Sequence, residues 1–304
     1  MRLSVITPAF NEASTLDLVY QRIVAAMAAT AIDWEWLVVD DHSRDNTFAV
    51  VGELAARDAR VAGLRLARNA GSHAAITCAL RHASGDAAVL LAADLQDPPE
   101  VIPALLEQWR AGAQVVWGVR RLRAGETRRT IGFARLYYFI MRRYARVDLP
   151  ATGTDLFLVD RAVIDALGGF TERPSSIFAL LTWLGFRQAF VEYDKAPRHS
   201  GRSGWTLRKK VALVIDSVAA FSEFPVRWCW YGGAALLAAS PFVAAAWHPF
   251  AGLAVGLSGL HLVAIGIVGE YVWRALQEAR RRPPYVIEAS LGRLARHPVS
   301  SARE

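Results

Sequence analysis

Short apolar runs that stop at polar residues recur through the first 120 residues of the chain. They occupy residues 3–8, 36–39, 61–66, 87–91 and 114–118. Segments in which apolar residues have helical spacing, such as 14–29 and 74–83, separate these runs. Strands that alternate with helices at intervals of about thirty residues form parallel sheets with right-handed crossovers. The sequence therefore predicts an α/β fold with a mostly parallel, doubly wound sheet.

The polar residues that follow the first four runs occupy equivalent positions. They are Asn11 and Glu12, Asp40 and Asp41, Asn69 and Gly71, and Asp94 and Gln96. The carboxyl ends of parallel strands meet at one edge of a sheet, and open α/β sheets bind their ligands there, so these residues predict a binding crevice. The ordinary dinucleotide and P-loop motifs are missing: no G-x-G-x-x-G follows the first run, and G-x-x-x-x-G-K-[ST] occurs nowhere.

The segment that begins at Asp94 offers several oxygen ligands within one turn. Asp94, Gln96 and Asp97 follow an apolar run directly. Hard oxygen ligands favour Mg²⁺ or Mn²⁺ that bridges phosphates, whereas Zn²⁺ takes Cys and His. A structural alternative is that Asp97, which precedes two prolines, caps the next helix.

A stretch of about forty residues, 228–269, contains no Asp, Glu, Lys or Arg, and roughly twenty apolar residues suffice for one membrane-spanning helix. Two spans fit, near residues 230–247 and 251–272. Basic residues flank the stretch: Arg208, Lys209, Lys210 and Arg227 before it, and Arg274, Arg280, Arg281 and Arg282 after it. The positive-inside rule then puts both termini in the cytoplasm. A buried helical hairpin of a soluble protein is the alternative.

The formal net charge of +7 suits a negatively charged partner. Because the basic residues cluster beside apolar segments, an anionic lipid bilayer or a phosphate-bearing substrate is favoured over nucleic acid. Residues 127–146 combine aromatic and arginine side chains at helical spacing. That pattern is typical of a helix at the bilayer interface, with a core helix as the alternative.

Several separated motifs resemble one family. They are VITPAFNE at 5–12, VVDDHS at 38–43, RNAG at 68–71 and ADLQDPPE at 93–100. Together they look like the family 2 glycosyltransferases with the GT-A fold, and more narrowly like the polyprenyl-phosphate glycosyltransferases. That group includes dolichol-phosphate mannose synthase and bacterial undecaprenyl-phosphate sugar transferases. The likeness continues through GRSGW at 201–205, LRK at 207–209 and GIVGEYV at 266–272, so it covers nearly the whole chain.

The resemblance implies a nucleotide-binding set and a metal-binding set. The nucleotide-binding residues would be Pro8, Asn11, Glu12, Asp40, Asp41, Asn69, Gly71 and Asp94, with the paired acids bonding the uracil ring and the ribose. Asp94 and Gln96 would ligate Mg²⁺ or Mn²⁺ on the diphosphate. The chain departs from the usual Asp-x-Asp of the family, because its first acid is Ala92.

The resemblance also implies the residues around the reacting groups. Arg120 would lie near the donor or acceptor phosphate, with a surface arginine as the alternative. Asp155 would lie beside the reacting centre as a positioning group, with general base as the weaker option, although Leu156 and Phe157 replace the more usual Phe-Arg. The residues expected at the acceptor phosphate are Arg120, Arg129, Arg198, Arg202 and Ser203. A flexible, solvated loop is the alternative for residues 198–205.

These expectations combine into a domain plan. Residues 1–206 form a cytoplasmic GT-A domain, 207–227 an amphipathic interface helix, 228–275 two transmembrane helices and 276–304 a cytoplasmic tail. The protein would then lie in the bacterial cytoplasmic membrane as a multi-pass protein. Its oligomeric state leaves no mark in one sequence, so a homo-oligomer stays open.

The expected function is the inverting transfer of a sugar from a nucleotide sugar to undecaprenyl phosphate, and a UDP-linked sugar is the favoured donor. The product would serve cell-envelope glycans or lipid modification. Which sugar is transferred cannot be read from the sequence. A processive polysaccharide synthase is a rival, but its Gln-x-x-Arg-Trp motif is missing. A membrane-anchored binding protein without activity is the other rival, favoured by Ala92 and by Leu156-Phe157.

Overall fold

The protein is described by a computed structural model that covers residues 1–121, 156–170, 176–194, 250–279, 283–292 and 294. Its centre is an eight-stranded sheet with the order β7-β5-β6-β4-β1-β2-β3-β8. The strands are β1 Arg2–Ala9, β2 Asp33–Asp40, β3 Val61–Leu66, β4 Ala87–Leu90, β5 Val115–Arg120, β6 Leu156–Asp160, β7 Gln188–Tyr193 and β8 Ile287–Leu291. The helices are α1 Leu16–Ala28, α2 Thr47–Arg57, α3 Ser72–His82, α4 Ile102–Arg110, α5 Arg161–Gly168, α6 Ile177–Trp183 and α7 Phe250–Ala279.

The four central strands confirm the predicted α/β architecture. Strands β4, β1, β2 and β3 are neighbours and pair in parallel, each joined to the next in the chain through a helix. Leu3 and Val5 pack into an apolar layer with α1, α2 and α4. Ile6 belongs to the opposite layer, which contains α3, α5 and α6. Because successive side chains of a strand face opposite sides, helices on both faces explain why most residues of these strands are apolar.

Two strands run against the others, and the sequence patterns did not predict either direction. Strand β6 lies between β4 and β5 and is antiparallel to both. Strand β8 is antiparallel to β3 at the edge of the sheet. An apolar run such as 156–160 indicates a buried strand but carries no information about its direction. Strand β8 lies within the segment 276–304, which was predicted as a tail, so part of that segment belongs to the sheet.

The second predicted membrane span, 251–272, falls inside helix α7. Large apolar side chains are exposed along this helix: Phe250, Leu260, Ile265, Val268, Val272, Trp273 and Leu276. Among the residues that the structure describes, no helix combines the length and the apolar character needed to cross a membrane. The transmembrane hairpin stays a prediction, and its first helix, 230–247, lies outside the described residues, as do the predicted interface segments 127–146 and 207–227.

Candidate functional site

The loops after β1 and β2 are hydrogen-bonded to each other. The Asn11 N–H donates to Ser43 Oγ at 2.9 Å, and the Arg44 N–H donates back to Asn11 Oδ1 at 2.8 Å. The Glu12 N–H donates to Thr47 Oγ1 at 2.9 Å. Asn11 has a φ of 58°, a left-handed conformation that Asn adopts more readily than most residues. The two loops therefore form one wall, with the exposed Asn11 at its surface.

The two acids after β2 hold this wall and the next loop. Asp40 has 0% of its surface exposed, and its Oδ1 accepts from the Ser43 N–H at 2.9 Å. The two carboxylate oxygens of Asp41 accept from the Ala70 N–H at 2.7 Å and the Gly71 N–H at 2.9 Å. Burial raises the pKa of the Asp41 carboxyl, against the opposing effect of these two donors. Asp41 thus braces the β3–α3 loop, a role that the sequence patterns did not predict.

The third loop presents the remaining residues of the predicted nucleotide set. Asn69 is exposed, and Gly71 begins the turn into α3 with a φ of 93°, in the left-handed region that favours glycine. Pro8 lies half-buried near the end of β1. These positions bring the predicted nucleotide residues to one edge of the sheet. Their contacts with a nucleotide stay predictions.

The segment after β4 alternates between buried and half-buried residues. Ala93, Leu95 and Asp97 are buried, whereas Asp94 and Gln96 are half-buried. The Gln96 N–H donates to Asp94 Oδ1 at 3.2 Å, and Leu95 has a φ of 60°. Asp94 and Gln96 can therefore offer a carboxylate and an amide oxygen from the same side of the segment.

The residue types of this segment fit a hard divalent cation. The described residues contain no cluster of three or more His, Cys, Asp and Glu side chains that could hold a metal ion. Mg²⁺ is ordinarily bound by one or two carboxylates together with substrate phosphates and waters. Two oxygen donors beside an open edge match that pattern, with the missing ligands left to substrate and water.

Asp97 does not cap the next helix, so that structural alternative is wrong. Pro98 holds the N-cap position of the short 3₁₀ helix Pro99–Val101, and the cap receives no side-chain hydrogen bond. Asp97 is 1% exposed, and its Oδ1 accepts from the Tyr193 hydroxyl at 2.5 Å. Burial raises the pKa of Tyr193, the Asp97 carboxylate raises it further, and Arg120 acts on the same hydroxyl in the opposite sense.

Arg120 is the last residue of β5 and is half-buried, so it is not an arginine of a surface loop. It lies opposite Tyr193 in the parallel pairing of β5 and β7. The other residues predicted near the reacting groups lie outside the described residues: Asp155, Arg129, Arg198, Arg202 and Ser203.

The sheet brings the two predicted sets to one edge. Strand β1 lies between β2 and β4 and pairs in parallel with both. Because neighbouring strands are about 4.8 Å apart, the acids after β2 and those after β4 start roughly 10 Å from each other. That separation suits an elongated ligand with a polar group at each end.

Sequence reasoning missed a charged group contributed by β8. Glu288 Oε2 lies 3.3 Å from Arg65 Nε and 3.6 Å from His42 Nδ1. Arg65 Nε also lies 3.8 Å from Asp40 Oδ2, so the guanidinium group has a carboxylate on each side. The alternation of apolar and polar residues at 287–291 is a sequence signal for this strand.

A family comparison decides the classification. The sequence model of the family described as glycosyl transferase family 2 matches residues 4–168. The chain belongs to glycosyl transferase family 2. The predicted resemblance is thereby confirmed, and the protein is a glycosyltransferase.

Relatives of this glycosyltransferase match along nearly its full length. It is 32% identical to the uncharacterized glycosyltransferase YkcC of Bacillus subtilis, with 96% of this chain and 95% of the relative covered. It is 31% identical to the SfII prophage-derived bactoprenol glucosyl transferase of Shigella flexneri, with 95% and 98% covered.

Solved structures support the fold. The glucosyl-3-phosphoglycerate synthase of Mycobacterium tuberculosis, in complex with Mn²⁺, UDP and phosphoglyceric acid, superposes with a TM-score of 0.53 at 20% identity. The match covers 72% of this chain and 76% of the synthase. At this level of identity the likeness supports the GT-A architecture of the family 2 chain.

Proposed function

We propose that the protein transfers a sugar from a UDP-sugar to a polyprenyl phosphate at the cytoplasmic face of a bacterial membrane. The observation that carries this proposal is the likeness to bactoprenol glucosyl transferases, which covers 95% of the chain. The family domain matches only residues 4–168, so the likeness extends well beyond it.

The donor nucleotide would bind the wall formed by the loops after β1, β2 and β3. Buried acids at its base suit a uracil N–H and ribose hydroxyls, which donate hydrogen bonds, rather than a phosphate, which a carboxylate repels. The glucosyl-3-phosphoglycerate synthase, which has a similar fold, was solved in complex with UDP and Mn²⁺, and this supports a uridine nucleotide as donor. The name of the Shigella relative makes UDP-glucose the first sugar to test.

Asp94 and Gln96 would hold Mg²⁺ or Mn²⁺ against the diphosphate. When bound, the ion neutralises the negative charge that develops on the leaving diphosphate. Asp94 and Gln96 are half-buried in a segment anchored by the buried Asp97. They would thereby fix where the diphosphate end of the donor lies.

The transfer itself is a displacement at the anomeric carbon. An oxygen of the lipid phosphate forms the new bond to that carbon, the bond to the diphosphate breaks, and UDP leaves with the electron pair, so the configuration inverts. The lipid phosphate is already ionised at neutral pH, and Asp155 would therefore position groups rather than remove a proton. Arg120 would stabilise negative charge on the phosphates.

Attachment to the membrane would bring the lipid phosphate to the site. The uncharged stretch 228–269 and the exposed apolar side chains of α7 support contact with a bilayer. We propose two membrane helices with both termini in the cytoplasm, as the flanking basic residues favour.

A transfer assay tests the proposal. Purified full-length protein in liposomes receives undecaprenyl phosphate, Mg²⁺ and a series of radiolabelled nucleotide sugars, beginning with UDP-glucose. We expect radioactivity in the extracted lipid only when undecaprenyl phosphate is present. If UDP and the UDP-sugars bind but no sugar donor labels the lipid, the protein is instead a membrane-attached nucleotide-sugar-binding protein, the rival that Ala92 favours.

A further inference from the structure

A buried hydrogen bond joins two parts of the chain that are far apart in sequence. Tyr193, at the end of β7, is 4% exposed, and Asp97 is 1% exposed. The Tyr193 hydroxyl donates to Asp97 Oδ1 at 2.5 Å across a sequence separation of 96 residues. A carboxylate is costly to bury unless it accepts hydrogen bonds, so this contact holds Asp97 in place.

Asp97 fixes the segment that contains the proposed metal ligands. Strand β4 ends at Leu90, so the sheet ladder does not hold Asp94 and Gln96. Asp97 is the next residue after Gln96, and a shift of its carboxylate would displace both donors. The Tyr193 hydroxyl is thus an anchor point for the cation-binding segment.

The same hydroxyl is also in contact with Arg120. Arg120 lies opposite Tyr193 in the β5–β7 pairing, and its guanidinium group interacts with the Tyr193 hydroxyl. An O–H group can donate one hydrogen bond and accept another, so Tyr193 can serve Asp97 and Arg120 together. The guanidinium group and the segment around Asp94 are therefore placed relative to each other by one side chain.

We propose that Tyr193 and Asp97 are positioning residues that set the distance between Arg120 and the Asp94–Gln96 segment. The inference rests on the proposed function, because it assigns these groups to one nucleotide diphosphate. It adds a role for two residues outside the predicted nucleotide-binding and metal-binding sets. Reacting groups must lie within fractions of an ångström of their productive geometry, so loss of the bond weakens the binding of the metal–diphosphate unit.

Tyr193→Phe tests the proposal, with Tyr20→Phe as the matched control. Tyr20 makes the same kind of bond, since its hydroxyl donates to Asp58 Oδ2 at 2.7 Å, but it lies on α1 and not at the candidate site. UDP affinity is measured by titration calorimetry on the full chain with and without Mn²⁺. A hydrogen bond to a charged group is worth on the order of tenfold in an equilibrium constant. We expect Tyr193→Phe to reduce the Mn²⁺-dependent gain in UDP affinity about tenfold and to leave the metal-free affinity unchanged.

Equal Mn²⁺-dependent gains in Tyr193→Phe and Tyr20→Phe would overturn the proposal. If Tyr193→Phe does not fold, Asp97→Asn decides, because it keeps the shape of the side chain but replaces the bond between Tyr193 and a charged acceptor by a weaker, neutral one. If Mn²⁺ then raises the UDP affinity of Asp97→Asn less than that of the wild type, the proposal is supported. If Mn²⁺ raises both affinities equally, the proposal is overturned.

The binding readout separates this inference from the proposed function. It needs no acceptor lipid and no transfer. A wild type that moves no sugar to any lipid, together with a reduced Mn²⁺-dependent gain in Tyr193→Phe, would refute the proposed function and leave the positioning role standing.

Discussion

The two sides of the candidate site are built in different ways. The wall after β1, β2 and β3 comes from three consecutive strand–helix units. The hydrogen bonds between its loops join residues 29 to 35 positions apart, such as Asp41 with Ala70 and Glu12 with Thr47. Each loop is held by the loop of a neighbouring parallel strand.

The side after β4 is held by a partner from much later in the chain. Its anchor is the bond between Asp97 and Tyr193, and the antiparallel strand β6 separates β4 from the strand that carries Arg120. The nucleotide side is thus assembled from local units, and the phosphate side from distant ones. The difference predicts that substitutions on the first side change stability and nucleotide affinity together. Substitutions on the second side change transfer more than metal-free binding.

The largest effect is expected from Asp94→Asn on the phosphate side. Loss of the charge should lower transfer to polyprenyl phosphate by about 100-fold or more, because the cation that would neutralise the leaving diphosphate loses its carboxylate ligand. The metal-free affinity for UDP should stay as in the wild type. Asp33→Asn, an exposed acid at the start of β2, is the control. Near-normal transfer in Asp94→Asn would refute the metal assignment.

On the nucleotide side, Asp41→Ala should lower stability and binding together. The substitution removes the acceptor of two backbone N–H groups, which costs about 1–3 kcal/mol of unfolding free energy. We expect UDP affinity without metal to fall about tenfold, because the β3–α3 loop loses its brace. Urea unfolding and calorimetry measure the two quantities. Loss of affinity at full stability would contradict the coupling that the comparison requires.

A smaller effect is expected from Glu288→Gln, with Ser290→Ala on the same strand as control. Glu288 is an exposed partner of Arg65, and exposed ion pairs contribute about 0–1 kcal/mol. UDP affinity should fall by no more than about fivefold in low salt. The difference in UDP affinity from the wild type should shrink in about 1 M salt, because salt screens the Glu288–Arg65 ion pair. A loss that does not depend on salt would indicate a packing role instead.

The smallest effect on transfer is expected outside both sides. Hydrogen bonds from Arg60 lower the pKa of Asp58 to about 2. A lowered carboxyl pKa contributes stability that is present above the unfolded value and is lost as the pH falls toward the folded value. Asp58→Asn should therefore cost about 1–2 kcal/mol at pH 7, and little near pH 2. Urea unfolding at both pH values checks this, and transfer at pH 7 should be unchanged.

The nucleotide side could be predicted from sequence because its signals are local. The apolar run 36–39 followed by Asp40 and Asp41 predicts a strand end, and the strand continues to Asp40. The polar residues that follow the first four apolar runs were predicted to lie at one edge of the sheet, and the parallel pairing of β1 to β4 confirms this. The bracing role of Asp41 could not be predicted, because a carboxylate that accepts from a distant backbone looks the same in sequence as one that faces a ligand.

On the phosphate side, the contact that anchors the segment around Asp94 could not be predicted from the sequence. Asp97 before two prolines has the sequence pattern of a helix cap, and only the fold brings Tyr193 to it. The direction of β6 and the pairing of β8 with β3 depend on residues that lie far along the chain. Such pairings follow from the whole topology rather than from propensity.

Strand β8 has a consequence for how the protein is made. It follows α7 in the chain and pairs with β3, an otherwise exposed edge of the sheet. During synthesis the ribosome must pass through nearly the entire protein before that edge is covered, and an uncovered edge is a template for aggregation. Chains that terminate before Ile287 should therefore accumulate as insoluble material, even though every loop of the candidate site has already been made.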